Sequence, residues 1–211
     1  YAKKNIGEKE IKKYYKDEIK PDIKVSHILI SVNYATDASD DDKTKAKNEA
    51  KAKAQEALDK LKAADQSKIA DTFSELAKEY SNDDSSKDDG GNLGFINTDT
   101  LGSNYDKLVE EAYKLKDGEY SSNIVETELG YHLVYRTETK EKADLESVRD
   151  KILDSLVSDY LIENQEAYIK SMQAVRKEYG MDIIDDDLST NYTNYIQNSL
   201  LKIQENKKNN S

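Results

Sequence analysis

Val25-Ser26-His27-Ile28-Leu29-Ile30-Ser31-Val32 is rich in β-branched residues, is closed by Asn33, and reads as a strand. Pro21, the only proline in the chain, stands just before it. Proline holds its preceding residue in extended geometry, so it stops the helix suggested by Ile11, Tyr14, Tyr15 and Ile19 in residues 1–20.

Downstream, an acidic loop from Asp37 to Asp42 runs into a helix over about 42–63. Its Ala46, Ala50, Ala54, Ala57, Leu58 and Leu61 form a narrow apolar stripe, and acids at its start suit the helix dipole. A second helix, about 68–80, sets Phe73, Leu76, Ala77 and Tyr80 on one side. Residues 81–92, SNDDSSKDDGGN, form a polar loop, and Leu93 to Ile96 is a short extended piece. Ser103 with Asp106 is a capping-box pattern for a helix carrying Leu108, Val109, Ala112, Tyr113 and Leu115, closed by Gly118. Two strands follow, Asn123–Thr127 and Tyr131–Thr137, joined through Glu128-Leu129-Gly130. The order β-α-α-β-α-β-β predicts an α+β fold with a small, mostly antiparallel four-stranded sheet.

From Ala143 to Tyr179 the period is purely helical, with Leu145, Val148, Ile152, Leu156 and Tyr160 in one run and Ile169, Met172, Val175 and Tyr179 in another. A single helix over this span would be about 54 Å long, too long to fold back on the domain throughout. A separate all-α lobe is therefore expected. Residues 185–211 are acidic and then rich in Asn and Lys, which predicts a short helix and a disordered tail.

Composition narrows the function. Apolar and charged residues are equally frequent at 36%, so one modest core closes and the remaining helices bury only a stripe each. A net charge of −11, with no basic patch, argues against nucleic acid and against adsorption to anionic lipid. No apolar run approaches the length of a membrane span, and Tyr1 opens onto a Lys/Glu-rich segment without a signal peptide, so the chain as given reads as soluble. With no cysteine there are no disulfides, thiolate metal sites or thiol nucleophiles. Polypeptides and small molecules remain as partners.

The two histidines occupy matching settings, VSHILI at 25–30 and GYHLVY at 130–135. Alternate strand residues share a face, so His27 lies with Val25 and Leu29, and His132 with Val134. Taken alone, each reads as a core histidine with a local partner; taken together they suggest a buried polar network. The loop at 81–95 fails as an EF-hand, because Ser85, Lys87 and Ile96 stand where acids are needed. It fails as a phosphate cradle, because Gly90, Gly91 and Gly94 match neither glycine pattern and four acids surround them. A solvated loop fits. No nucleophile elbow supports a hydrolase, and the histidines lack the helical spacing of a metalloprotease pair.

Taken in order, VSHILI, the Tyr80-Ser81-Asn82-Asp83 segment, GGNLGF, a helix ending KDGE and GYHLVYRTE resemble the parvulin (PpiC-type, or rotamase) peptidyl-prolyl isomerases over about residues 24–138. The resemblance implies a parvulin-like sheet with helices, cis-trans isomerase activity on X–Pro bonds, and neither cofactor nor metal. It assigns His27 and His132 as the histidine pair, Asp83 to the family's Cys/Asp place, and Thr127 as a threonine that hydrogen-bonds within that network. Leu93, Leu101 and Tyr105 fall on the proline-ring pocket, with Ile96 where the family has a phenylalanine. The loop is one residue longer than the common form, so counting back from Gly90 favours Asp84 over Asp83.

The flanks resemble those of the PrsA foldases, which are lipid-anchored at the outer face of the membrane of Gram-positive bacteria. That implies residues 1–22 as the last helix of an N-terminal chaperone region, 23–139 as the isomerase domain, and 140–211 as a C-terminal chaperone segment. The implied partners are unfolded or partly folded secreted polypeptides containing X–Pro bonds, with homodimerisation through the helical lobe. A lipid anchor is expected on the full-length precursor. The alternative is a peptide-binding chaperone whose parvulin domain is inactive or weakly active.

Overall fold

The computed structural model describes residues 2–209. In chain order its elements are α1 (Glu8–Asp17), β1 (Ile23–Ser31), α2 (Asp40–Ala63), α3 (Ile69–Tyr80), β2 (Asn92–Ile96), α4 (Asp106–Lys114), β3 (Val125–Thr127), β4 (Gly130–Thr139), α5 (Leu145–Glu163), α6 (Gln165–Glu178) and α7 (Asp186–Asn209). They divide into two units, residues 20–142 and residues 1–19 with 143–211.

In the first unit β1 and β4 are the central strands of an antiparallel sheet ordered β2-β1-β4-β3. Both carry continuous buried stretches, 27–30 in β1 and 130–135 in β4, because both faces of the sheet are covered. On one face Ile28, Ile30, Tyr131, Leu133 and Tyr135 pack against Ala50, Ala54, Ala57, Leu58 and Leu61 of α2 and Phe73 and Leu76 of α3. The alanine stripe lets α2 approach closely, and Phe73 stacks on Tyr135 with ring centroids 5.3 Å apart. On the other face Ile23, Val25 and Val134 meet Ile96 of β2 and Leu108, Val109 and Ala112 of α4. The histidines belong to this second face.

Register fixes how they meet. His27 pairs with Val134 and His132 pairs with Leu29, so the two are diagonal neighbours on one face. The turn that returns the chain into β4 needs Gly130: it takes φ +137, and a Cβ there would lie 2.2 Å from the Ile30 carbonyl oxygen.

Two local expectations change. α4 starts at Asp106 after a 3-10 turn at Ser103–Tyr105, and its N-cap is Tyr105, with no side-chain cap bond. The extra turn moves the N-cap from Ser103 to Tyr105, two residues on, so no Ser103–Asp106 capping box forms. α4 also ends at Lys114, and Gly118 lies in the following turn, donating its N–H to the Arg136 carbonyl at 2.8 Å.

In the second unit, buried Ile11 and Ile152 anchor α1 and α5, and the Tyr15 hydroxyl donates to the Ala143 carbonyl at 2.8 Å. Asp144 caps α5 by accepting the Ser147 N–H at 2.9 Å. The helical run then breaks at Asn164, whose amide donates to the Tyr160 carbonyl at 2.9 Å. The C-terminal expectation is corrected: instead of a short helix and a disordered tail, 186–209 form one helix, and only residues 210 and 211 of that tail lie outside the described residues. Leu188, Tyr192, Tyr195, Ile196, Ser199 and Ile203 recur at helical spacing, Asp185 accepts the Leu188 N–H at 2.9 Å, and Ile196 is buried. Composition hid that period. Among the described residues no helix is long and apolar enough to cross a membrane.

Candidate functional site

The site forms along the edge of β1. β2 pairs with β1 only as far as Ser26, and the loop at 81–91 takes over the edge from there. The Gly91 carbonyl accepts the His27 N–H at 2.8 Å, and the Asn82 N–H donates to the Leu29 carbonyl at 2.7 Å. The Leu29 N–H reaches the Ser81 hydroxyl at 3.1 Å, and the Ser31 N–H reaches the Asn82 side-chain oxygen at 3.0 Å. These bonds satisfy a strand edge that would otherwise be open, and they hold Asp83 against His27. Gly91 is required: it takes φ +78, and a Cβ would lie 2.0 Å from the His27 carbonyl oxygen.

Four of the expected residues come together in a row. Asp83 Oδ2 lies 2.8 Å from His27 Nε2, His27 Nδ1 lies 3.2 Å from His132 Nδ1, and His132 Nε2 lies 2.8 Å from Thr127 Oγ1. Thr127 Oγ1 in turn accepts the Leu129 N–H at 3.1 Å. Both imidazoles are fully buried, and the Asp83 side chain keeps 15% of its exposure.

Protonation follows from burial and partners. Burial pushes the Asp83 carboxyl up, but the hydroxyls of Ser85 and Ser86, His27 and the Ser85 N–H outweigh it and hold the group well below the usual carboxylate range. Burial depresses His27, against the opposing pull of Asp83. Burial and then the neighbouring His27 push His132 down to about 3, again opposed by Asp83. The site at neutral pH therefore holds one carboxylate and two neutral imidazoles.

Only one set of proton positions satisfies every contact with those charges. Ionised Asp83 only accepts, so His27 carries its proton on Nε2 and offers a bare Nδ1. His132 must donate from Nδ1, which leaves its Nε2 to accept from the Thr127 hydroxyl. Every hydrogen bond in the row then points from Thr127 towards Asp83.

Beside the row, Leu93, Leu101 and Tyr105 are half-buried against the core under α4. The Tyr105 ring centroid lies 6.3 Å from that of His27 and 6.1 Å from that of His132. Burial, with the charge of Asp83, raises the Tyr105 phenol and keeps it protonated. Ile96 departs from the expectation: it is fully enclosed in the core between sheet and α4 and offers no surface to a ligand. It backs the wall without forming part of it. Asp84 is exposed and pairs with Lys87, not with a histidine.

Residues not expected at the site are Ser81, Asn82, Ser85 and Ser86. The Asp-x-Ser spacing of Asp83 and Ser85 is an Asx-turn signal that points to part of this set. Among the described residues, no three His, Asp or Glu side chains are arranged to hold a metal ion.

Comparison with known proteins identifies the family. Residues 9–140 match the model of the PPIC-type PPIase domain family. The foldase protein PrsA of Geobacillus kaustophilus is 34% identical over 183 residues, covering 87% of this chain and 54% of that protein. PrsA 2 of Bacillus cereus is 34% identical over 191 residues, covering 90% of this chain and 55% of that protein. The crystal structure of a peptidylprolyl isomerase (PrsA) from Bacillus cereus matches with TM-score 0.52 at 26% identity, over 92% of this chain and 62% of that one. The chain thus spans about half the length of these curated relatives.

Proposed function

The chain belongs to the PPIC-type, or parvulin, family of peptidyl-prolyl cis-trans isomerases, and on that premise we propose that it catalyses rotation about X–Pro bonds in unfolded polypeptides. The observation that carries this reading is the buried row from Asp83 to Thr127 lying beside the apolar wall of Leu93, Leu101 and Tyr105.

The uncatalysed barrier is about 20 kcal/mol, because the planar amide loses resonance as it twists. No covalent bond breaks, so catalysis amounts to binding the twisted amide better than either planar form. The wall grips the proline ring while the preceding carbonyl turns. The Asp83 charge beside that carbonyl disfavours negative charge on its oxygen and weakens the C–N double-bond character. The neutral histidines and Thr127 hold Asp83 in one orientation. A protease-coupled assay of the chain on a panel of X–Pro peptides tests this: rates above the uncatalysed one that fall on Asp83→Ala support it, and no acceleration on any peptide refutes it.

The same proposal extends to a foldase acting on secreted proteins outside the cell membrane, in line with the PrsA relatives, with residues 23–139 as the catalytic domain. In the helical unit Met172, Val175, Tyr179 and Leu188 are exposed apolar side chains. These favour a second reading, in which the chain holds unfolded polypeptide and contributes little catalysis. Suppression of aggregation of a proline-independent client, unchanged in an Asp83→Ala variant, would support that holding activity.

A further inference from the structure

We propose that Ser86 is a positioning residue that fixes Asp83, and through it the proton arrangement of the histidine pair; this rests on the reading of Asp83 as the acid beside the substrate carbonyl. Ser86 is 2% exposed, and its hydroxyl donates to Asp83 Oδ2 at 2.5 Å, the same oxygen that accepts from His27. The other oxygen, Oδ1, accepts the Ser85 N–H at 3.1 Å and the Ser85 hydroxyl at 2.7 Å. Ser85 is exposed, so water replaces its hydroxyl at little cost. Nothing from solvent substitutes as readily for the buried Ser86 hydroxyl.

The main chain of Ser86 makes a second link to His27. Its carbonyl accepts the Gly91 N–H at 2.9 Å, and the Gly91 carbonyl accepts the His27 N–H at 2.8 Å. The imidazole of His27 is held through the Ser86 hydroxyl and Asp83, and its backbone through the Ser86 carbonyl and Gly91. One residue thereby sets both where His27 sits and which of its nitrogens faces an ionised acceptor. The titratable groups facing Asp83 are His27 from β1, His132 from β4 and Tyr105 from the turn before α4. Asp84 and Lys87 pair with each other on the exposed side of the loop.

Without the Ser86 hydroxyl, Asp83 loses a donor that favours its charged form. It then holds a proton to higher pH and turns more freely, and a protonated Asp83 reverses the direction of the whole row. In the full chain, Ser86→Ala is expected to move the acid limb of the pH–rate profile upward by roughly one to two pH units. Ser86→Thr, which keeps the hydroxyl, is expected to restore it, and Asp84→Ala, on the exposed side of the loop, to leave it within about half a unit. Nitrogen-15 NMR at neutral pH reads the histidine tautomers without reference to activity. The expected result is Nε2–H on His27 in the parent and, because the freed Asp83 carboxylate turns away from His27 part of the time, a mixture of tautomers in Ser86→Ala. An unchanged acid limb and tautomer in Ser86→Ala, with Asp83→Ala inactive, overturns the role of Ser86 and leaves that of Asp83 intact. If Asp83→Ala is fully active, the acid's role fails, and the tautomer spectrum alone still decides whether Ser86 sets His27.

Discussion

The Nδ1 atoms of His27 and His132 lie 3.2 Å apart, and both rings are fully buried. Two like atoms at that distance cannot both carry protons, so one imidazole donates and the other accepts. With Asp83 ionised at one end and Thr127 at the other, His132 is the donor and His27 the acceptor. The pair is a directional link, and removing either member leaves a buried polar atom without its partner.

His27→Ala and His132→Ala should each lower kcat/KM on X–Pro peptides between about ten- and a hundred-fold, the effect of one buried, charge-linked hydrogen bond. Each should also cost about 1–3 kcal/mol of stability through the stranded partner. Far-UV circular dichroism should match the parent, because the sheet keeps its apolar packing. Parent-like rates in both variants would remove the histidines from the mechanism.

The two loop acids separate sharply in their surroundings. Asp83 faces His27 and Ser86, whereas Asp84 points outward to Lys87. Asp83→Ala should abolish most of the activity and Asp84→Ala should change it less than about two-fold, since an exposed pair is worth little. Equal losses would place the chemistry elsewhere in the loop.

Much of this arrangement was legible in the sequence, and the reasons differ by element. VSHILI and GYHLVY announce central strands because apolar residues stand on both faces of each, with Ser26 and the two histidines as the polar exceptions. Their alternation puts both histidines on one face, but register cannot be read from one strand alone. The diagonal contact depends on His27 pairing with Val134. The choice between Asp83 and Asp84 turned on loop length, and the structure decides geometry through bonds that counting cannot see, from Ser81 and Asn82 to β1. Ser86 carried no period and no motif of its own. The helix at 186–209 was expected to be short, because its Asn and Lys content outweighed a sparse apolar stripe.

Acid should loosen the isomerase unit before ordinary carboxylates respond. His132 is held at about 3 in the folded protein against 6.5 when unperturbed, and His27 is lowered as well. The unfolded chain therefore binds protons that the native chain refuses as pH falls below about 6.5, and stability drops in that direction. Their contribution is complete above that pH. Thermal melts from pH 7.5 to 5 should show a falling Tm, with a shallower fall in His132→Asn. A flat profile in the parent would mean that the imidazoles protonate without cost.

Gly91→Ala should damage the site through the backbone. The new Cβ meets the His27 carbonyl oxygen at 2.0 Å at a φ of +78, and positive φ alone costs about 1–3 kcal/mol in a non-glycine residue. We expect a loss of at least about 2 kcal/mol in denaturant melts, together with loss of isomerase activity. Gly94, where a Cβ meets nothing within 4 Å, serves as the control: Gly94→Ala should cost only its φ strain and keep most of the activity.

The central claim is that this chain speeds X–Pro rotation through the acid of the Asp83–His27–His132–Thr127 row. Two-dimensional exchange NMR on a short X–Pro peptide reads that rotation directly, with no protease present. Without catalyst the interconversion takes tens of seconds or longer, too slow for cross-peaks between cis and trans signals to build. With a catalytic amount of the full chain, cross-peaks should appear on the sub-second timescale and disappear with Asp83→Ala. Absence of cross-peaks with the parent protein, or their persistence with Asp83→Ala, would contradict the account.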